Sequence, residues 1–446
     1  MSQSATTPSE SAETEILRNE EGAVTKMQSV AIMAGSVFAG VSVFITTFIA
    51  NKILHGADLN EFLMFWAALF TAYGVMSSLQ QEMTRAVTNA RLLNVQDGAR
   101  IAWVAGCFGL LGGIVIALSS SRWAFEKMVS EPFLGISLIA IGVAVYAMQP
   151  AMSGGAAAQK SWYLYAGLAG GEAIWRLVAM LGAALFFSSL IGLEIAAVSP
   201  IFLWLVFILF SKSARNAMTA RADVGWKKLS QNILLAMGSA SAYSVLVMGL
   251  PLFLESSEST AADSYKKTLV AVLVLMISIT RAPIMMPLVA FQGVAVTSFL
   301  KQQHRPILAL MKPSAVILTM GAIGGGLAAW IGPWLFTLIY APNTPEKVRA
   351  YEEIVNGPTL GLLTFASAVL ALLVLAGTAT LALNAHCLYV LGWIVAAGLT
   401  IGILYAIPLS LVPRVLLSLY FGPLTGFVVH LLGIHTLTKS RDTVTP

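Results

Sequence analysis

The chain has 446 residues, of which 57% are hydrophobic and only 11% are charged, and its formal net charge is +5. Because soluble domains carry about a quarter charged residues, this composition excludes an ordinary soluble protein and predicts an all-α polytopic membrane protein. The two cysteines, Cys107 and Cys387, lie inside apolar runs. Their positions indicate neither a disulfide nor a metal site.

Apolar runs of about 20 residues, the length that crosses a bilayer, recur along the chain. Residues 1–27 are polar and acid-rich, which predicts a disordered tail and not a signal peptide. Twelve candidate spans follow, at residues 28–51, 61–83, 100–119, 133–157, 162–187, 195–211, 232–254, 268–298, 314–340, 358–380, 386–408 and 413–436. The segments on the amino-terminal side hold about twice as many Lys and Arg residues as the opposite loops, so both termini are predicted to be cytoplasmic. The basic balance therefore reflects topology and indicates no nucleic-acid partner.

A long basic connection divides these spans into six and six. The predicted units are an N-terminal lobe at 28–211, a cytoplasmic linker at 212–231, a C-terminal lobe at 232–438 and a tail at 439–446. The first span begins AIMAGSVFAG and the seventh begins LLAMGSASAY, a short similarity that is compatible with a parallel duplication. Two lobes that face each other predict a central cavity.

The fifth span, WYLYAGLAGGEAIWRL and onward, contains two charged residues near mid-depth, Glu172 and Arg176. They are four residues apart, so they lie on one helical face. An ionisable side chain at that depth is costly unless it faces a wet cavity or a partner. The pair therefore either lines a substrate site or neutralises itself and holds the helix in the bundle. Trp175 either lines the same cavity or packs between helices.

The eighth span contains one charged residue, Arg281, followed by Pro283 and Pro287, which predict a kink. Arg281 either faces the cavity or extends toward the membrane interface. Together, Arg176 and Arg281 would form a cationic site in an otherwise apolar protein. Because guanidinium groups bind phosphate oxygens in a bidentate manner, an anionic phosphorylated substrate fits such a site.

The cytoplasmic end of the second span carries Gln81, Glu82 and Arg85. Glu82 and Arg85 are three residues apart and can form an ion pair on one face. The group is interpreted as a cytoplasmic gate or first docking point for a head group, or else as a solvated helix end.

Several segments resemble the polysaccharide flippases of the multidrug/oligosaccharidyl-lipid/polysaccharide (MOP) exporter superfamily, the O-antigen and cell-wall polysaccharide translocases. They are NEFLMFWAALFTAYG and QQEMTR in the second span, GGEAIWRL in the fifth, and GPWLFTLIYAPN at the end of the ninth. The resemblance implies a V-shaped pair of six-helix lobes in a bacterial plasma membrane. It also implies transport of a polyprenyl-pyrophosphate-linked oligosaccharide between leaflets, with Arg176 and Arg281 at the pyrophosphate. A polysaccharide polymerase or glycosyltransferase is the implied protein partner.

Other functions remain open at the level of sequence. A drug or metabolite antiporter of the same superfamily would need a coupling carboxylate for a proton or sodium ion, and Glu172 is the candidate. A major-facilitator transporter also has six plus six spans, but TNARLLNVQDGAR lacks the usual glycine-aspartate-arginine pattern after span two. No phosphate-binding glycine loop, zinc-binding pattern or nucleophile elbow occurs. An enzyme and a bound cofactor are therefore not expected.

Overall fold

The computed structural model describes residues 26–119, 132–258, 264–301, 306–383 and 385–442. Most of the predicted amino-terminal tail and the last four residues lie outside them. The described chain is helical. The N-terminal half contains α1 (Lys26–Ile53), α2 (Gly56–Met76), α3 (Ser78–Leu92), α4 (Ile101–Ser119), α5 (Pro132–Tyr146), α6 (Met148–Ala158), α7 (Trp162–Phe186), α8 (Leu190–Val198), a 3-10 turn (Ser199–Phe202) and α9 (Leu203–Phe210).

A short helix, α10 (Lys212–Met218), lies in the predicted linker. The C-terminal half contains α11 (Trp226–Val247), α12 (Leu250–Ser257), α13 (Ser264–Lys301), α14 (Pro306–Ile339), α15 (Pro345–Ile354), α16 (Gly357–Ala382), α17 (His386–Ala406) and α18 (Leu411–Asp442). We call the end of the bundle that holds α10 the linker side and the opposite end the far side. The charge bias predicts that the linker side is cytoplasmic.

In the described residues, nine helices are long and apolar enough to cross a membrane, and the count is ten if the bent pair α11–α12 forms one span. Phe38–Ile53 of α1 is a shorter apolar helix. Helix α13 occupies the predicted eighth span. The structure thus confirms a polytopic all-α protein, while the number twelve stays a prediction.

The two halves contact each other along α2, which packs against α11, α12 and α13, and α1 also reaches α13. At Gly74 of α2 a Cβ atom would lie 2.3 Å from Ser244 Oγ on α11. Only glycine permits this approach of the two helices. Within the N-terminal half, α1 packs along α7, and there a Cβ at Gly35 would lie 3.3 Å from the carbonyl oxygen of Ala166.

The prolines of the eighth span do not interrupt its helix, since α13 runs through Pro283 and Pro287. A break occurs in the seventh span, where α11 and α12 meet at an angle of 58°, and the kink of the eighth span stays a prediction. Pro251 explains this position, because it has no N–H to donate to the carbonyl of Val247 four residues before it. The helix therefore ends at Val247 and restarts at Leu250.

Candidate functional site: a cavity between the two halves

A cavity of about 450 Å³ lies between the two halves of the bundle. Helices α1, α2 and α7 line one side, and α11, α12 and α13 line the other. Most of its walls are apolar or aromatic. Three charged side chains reach it: Glu172 and Arg176 from the N-terminal half, and Arg281 from the C-terminal half. The two arginines that the sequence singled out are thus in one chamber.

Arg176 is neutralised within its own helix. One guanidinium nitrogen forms an ion pair with Glu172 Oε1, and the side chain of Arg176 is 4% exposed. The other carboxylate oxygen of Glu172 accepts a hydrogen bond from Gln149 Nε2 at 2.5 Å. A second nitrogen of Arg176 lies 3.5 Å from Ser42 Oγ on α1. This network fixes the guanidinium and cancels its charge.

Aromatic rings of α2 cover the same guanidinium. Its central carbon lies 5.0 Å from the ring centroid of Phe70 and 5.8 Å from that of Trp66, within the range of cation–π attraction. No sequence pattern indicates these contacts, although both rings belong to the segment NEFLMFWAALFTAYG. The nitrogen Nε of Arg176 has no hydrogen-bond partner among the described residues.

Arg281 has different surroundings. One of its nitrogens donates to the carbonyl oxygen of Val247 at 2.8 Å, the group that Pro251 leaves without a helical partner. Another, Nη2, is buried and has no partner among the described residues. No carboxylate lies within 4.0 Å of Arg281 in that part of the chain, so its positive charge is not neutralised.

The residues at the end of the second span do not line the cavity. Arg85 forms a bidentate pair with Glu82, with N–O distances of 2.6 and 2.9 Å, and reaches Asp223 of the linker at 3.2 Å. Asn232 of α11 donates to Glu82 at 3.0 Å. This linker-side cluster, Glu82, Arg85, Asp223 and Asn232, joins the two halves next to the linker. Gln81 is exposed beside it.

A second polar contact between the halves lies on the far side. Thr47 of α1, which lines the cavity, is 3.2 Å from the hydroxyl of Tyr340. Four residues further along α1, Asn51 accepts a hydrogen bond from Lys347 Nζ of α15 at 2.8 Å. The side chain of Lys347 is deeply buried, since this lysine is only 1% exposed. We call Thr47, Asn51, Tyr340 and Lys347 the far-side cluster.

Trp175 is not among the side chains that line the cavity. Its indole nitrogen donates to Ser199 Oγ at 3.1 Å, which is a packing contact between α7 and the 3-10 turn. The interpretation of Trp175 as helix packing is therefore the one that fits its contacts. In the described residues, no group of three or more His, Cys, Asp or Glu side chains could hold a metal ion.

Comparison with known proteins identifies relatives but no characterised activity. No family model matches the chain. The uncharacterized protein Rv1510 of Mycobacterium tuberculosis is 30% identical over 416 residues, which cover 93% of each chain.

Solved structures share the fold at lower identity. An inward-facing multidrug resistance MATE family transporter of the MOP superfamily has a TM-score of 0.69 at 13% identity, covering 94% of this chain and 100% of that one. A MOP superfamily transporter from Pyrococcus furiosus, described as having a binding pocket of reverse polarity that suggests a different function, has a TM-score of 0.67 at 12% identity, covering 93% and 96%. These likenesses confirm the fold that the resemblance implied and leave the polysaccharide-flippase branch as a prediction. The chain belongs to the same family as the mycobacterial protein Rv1510, and it has the fold of MOP superfamily transporters.

Proposed function

We propose that the protein moves a polyprenyl-pyrophosphate-linked oligosaccharide, a precursor of a cell-envelope polysaccharide, from the inner to the outer leaflet of a bacterial plasma membrane. Twelve spans would form two six-helix lobes around a V-shaped cavity, with both termini in the cytoplasm. Movement of one lobe against the other would open the cavity to each side in turn, without a chemical step. The polyprenyl tail would stay in the bilayer while the head group crosses.

The observation that carries this proposal is the pair of guanidinium groups, one from each half, in one apolar cavity. A pyrophosphate bridging Arg176 and Arg281 would contact both halves at once. The affinity for such a ligand would therefore depend on how far apart the two halves lie. Because Arg281 has no neutralising carboxylate among the described residues, an anion would remove the cost of burying its charge.

The linker-side cluster supports a role for Glu82 and Arg85 as a gate. Entry from the cytoplasm requires the contacts of Glu82 with Asn232 and of Arg85 with Asp223 to separate. The side chain of Arg85 is 41% exposed, so it is accessible to an arriving phosphate group. Gln81, exposed on the same turn, would meet the head group first. Glu172 would position Arg176 inside the cavity.

A leaflet-transfer assay tests this function. Purified protein in liposomes is given a fluorescent polyprenyl-pyrophosphate-linked oligosaccharide, and an impermeant quencher reports the leaflet that holds it. We expect protein-dependent transfer that falls at least about tenfold in Arg281→Gln, since a charged hydrogen bond contributes about 1.5–3 kcal/mol. The matched control is Arg349→Gln, which removes an exposed arginine of α15 and should leave the rate unchanged. Equal rates for wild type and Arg281→Gln would contradict the proposal.

The alternative is an ion-coupled drug or metabolite antiporter. It is favoured by the MATE multidrug transporter that shares the fold and by the largely apolar walls of the cavity. Glu172 would then bind the proton or sodium ion. In liposomes with an imposed ion gradient, Glu172→Gln should abolish gradient-driven transport of a cationic drug. Unchanged rates in this variant, with and without the gradient, would exclude coupling through Glu172.

Neighbouring genes would help to decide between these functions. A polysaccharide polymerase or glycosyltransferase encoded beside this chain would fit the flippase, and its product would act on the same glycan. Crosslinking to the basic linker at 212–231 is the direct test of such a partner.

A further inference from the structure

The far-side cluster contains a buried cation with an unusual lack of partners. Lys347 is 1% exposed, and the only hydrogen bond that its ammonium group makes in the described residues goes to the neutral oxygen of Asn51. No carboxylate of those residues lies within 4.0 Å of it. A buried charge is normally paired, because burial without a counter-charge is costly. Two of the three N–H donors of this ammonium group are therefore available to an anion.

The neighbouring amide also lacks an acceptor. Because lysine can only donate, the hydrogen bond from Lys347 fixes Oδ1 of Asn51 as the acceptor and thereby fixes the orientation of the amide. Its nitrogen, Nδ2, is buried and has no partner among the described residues. Asn51 itself is 1% exposed. Unpaired buried donors are rare in proteins, so this one calls for an acceptor.

The cavity also contains buried N–H donors that have no acceptor among the described residues. Among the cavity-lining side chains of the described residues, the buried polar atoms without a partner are Nε of Arg176 and Nη2 of Arg281, and both are N–H donors. Thr47 connects the two places, since it lines the cavity and lies four residues before Asn51 on the same face of α1. Unsatisfied N–H donors thus occur both in the cavity and in the far-side cluster.

We propose that Lys347 and Asn51 form a second anion subsite, which takes the phosphate groups of the substrate from the two arginines as the far side opens. The inference rests on the proposed function, since it assumes a phosphorylated cargo. In this structure, in which α1 and α15 are in contact on the far side (the closed state), Asn51 accepts a hydrogen bond from one N–H group of Lys347. When α1 and α15 separate, that donor is released, and the ammonium group faces the exit of the cavity.

The titration behaviour of the cluster agrees with this geometry. Burial, together with a smaller effect of the nearby charge of Lys52, lowers the pKa of Lys347 to about 8. The hydroxyls of Tyr340 and Tyr351, which lie in this contact, are neutral at pH 7. An arriving phosphate would be the first anion that Lys347 meets there.

Binding of inorganic pyrophosphate to the full-length protein in nanodiscs tests the subsite. The linker side is first locked by a bifunctional thiol crosslinker between Glu82→Cys and Asn232→Cys, in a background where Cys107 and Cys387 are serine, so that ligand enters from the far side. Titration calorimetry then compares Lys347→Met, Lys347→Arg and Asn51→Asp. The control, Arg349→Met, removes an exposed cation two residues away on α15. A neutral polyprenol tests for binding that does not depend on phosphate.

We expect Lys347→Met to lower the affinity for pyrophosphate about tenfold, while Lys347→Arg and Arg349→Met stay near wild type. Asn51→Asp should lower it similarly, because the new carboxylate occupies the ammonium group, and this variant serves if Lys347→Met does not fold. Wild-type affinity in both Lys347→Met and Asn51→Asp, with a loss in Arg281→Met, would overturn the subsite and leave the proposed function standing. Wild-type affinity in Lys347→Met, Asn51→Asp and Arg281→Met would overturn both the subsite and the proposed function.

Discussion

The two halves of the cavity each contribute one arginine, but the surroundings of the two side chains are opposite. Arg176 is paired with Glu172, held by Ser42 and covered by aromatic rings. Arg281 has a backbone carbonyl as its partner and no carboxylate nearby in the described residues. A guanidinium group that a carboxylate neutralises mainly stabilises the fold, whereas one without a carboxylate partner attracts an anion. The N-terminal half would therefore contribute the weaker phosphate contact, through the unpaired Nε of Arg176, and the C-terminal half would bind most of the charge of the cargo.

The largest difference between the two arginines should appear in stability. Arg176→Met leaves Glu172, whose side chain is 18% exposed, without its cation and should lower the free energy of unfolding by about 3 kcal/mol. Arg281→Met leaves only the carbonyl of Val247 without a donor and should cost about 1–3 kcal/mol. Unfolding in detergent, followed by tryptophan fluorescence, measures both. The double variant Glu172→Gln/Arg176→Met should recover most of the loss, and equal losses in the two single variants would remove the distinction.

The affinity for the substrate should depend more on Arg281 than on Arg176, the reverse of their order in stability. Arg281→Met should weaken the binding of a polyprenyl pyrophosphate by about 10–100-fold, because it removes the unneutralised charge. The charge-neutral double variant Glu172→Gln/Arg176→Met should weaken it by less than about fivefold, since the pair carries no net charge. Fluorescence quenching by the ligand measures the affinities. A larger loss in the double variant would make Arg176 the main phosphate ligand.

Pro251 provides a smaller test of how Arg281 is oriented. Pro251→Ala restores an N–H that can bond the carbonyl of Val247 and compete with Arg281 for it. Without its anchor, the guanidinium becomes more mobile, and we expect a loss of affinity of about threefold to tenfold, or about 1 kcal/mol. As a control, Pro345→Ala changes a proline at the start of α15, away from Arg281. An unchanged affinity in Pro251→Ala would mean that the anchor is dispensable.

The smallest effect concerns pH at the far side. Lys347 has a pKa of about 8 in the closed state, below its value of about 10.5 when exposed. The closed state therefore binds fewer protons between these values, so closure is strengthened as pH rises from 8 toward 10, and this group adds no pH dependence below 7. Spin labels at Asp58→Cys and Glu346→Cys should report a smaller open population at pH 9.5 than at pH 7. Lys347→Met should abolish the change, and a larger open population at high pH in wild type would contradict the sign.

Sequence patterns located the cavity's charges because these are rare within apolar spans. Glu172 and Arg176 lie on one face at helical spacing, and Arg281 is the single charge of its span. Their partners could not be predicted in the same way, since Ser42 and Gln149 lie on other helices and carry no distinctive pattern. Tertiary packing alone decides which small polar residue meets a guanidinium.

Two features carried a sequence signal that was not used. Pro251 removes the N–H that would bond Val247, so the broken helix of the seventh span could have been predicted. In PEKVRAYEEI, Lys347 shares a helical face with Ala350, Tyr351 and Ile354, all of which are buried. A charge at an apolar position of an amphipathic helix indicates a buried contact, so the burial of Lys347 could have been predicted as well.

A structure of the protein with a bound polyprenyl pyrophosphate would show where the phosphate groups lie. We expect a phosphate oxygen about 2.7–2.9 Å from Nη2 of Arg281, in the cavity between the two halves, with the ion pair of Arg176 and Glu172 intact. Phosphate groups bound elsewhere, with Nη2 of Arg281 still unoccupied, would contradict this expectation.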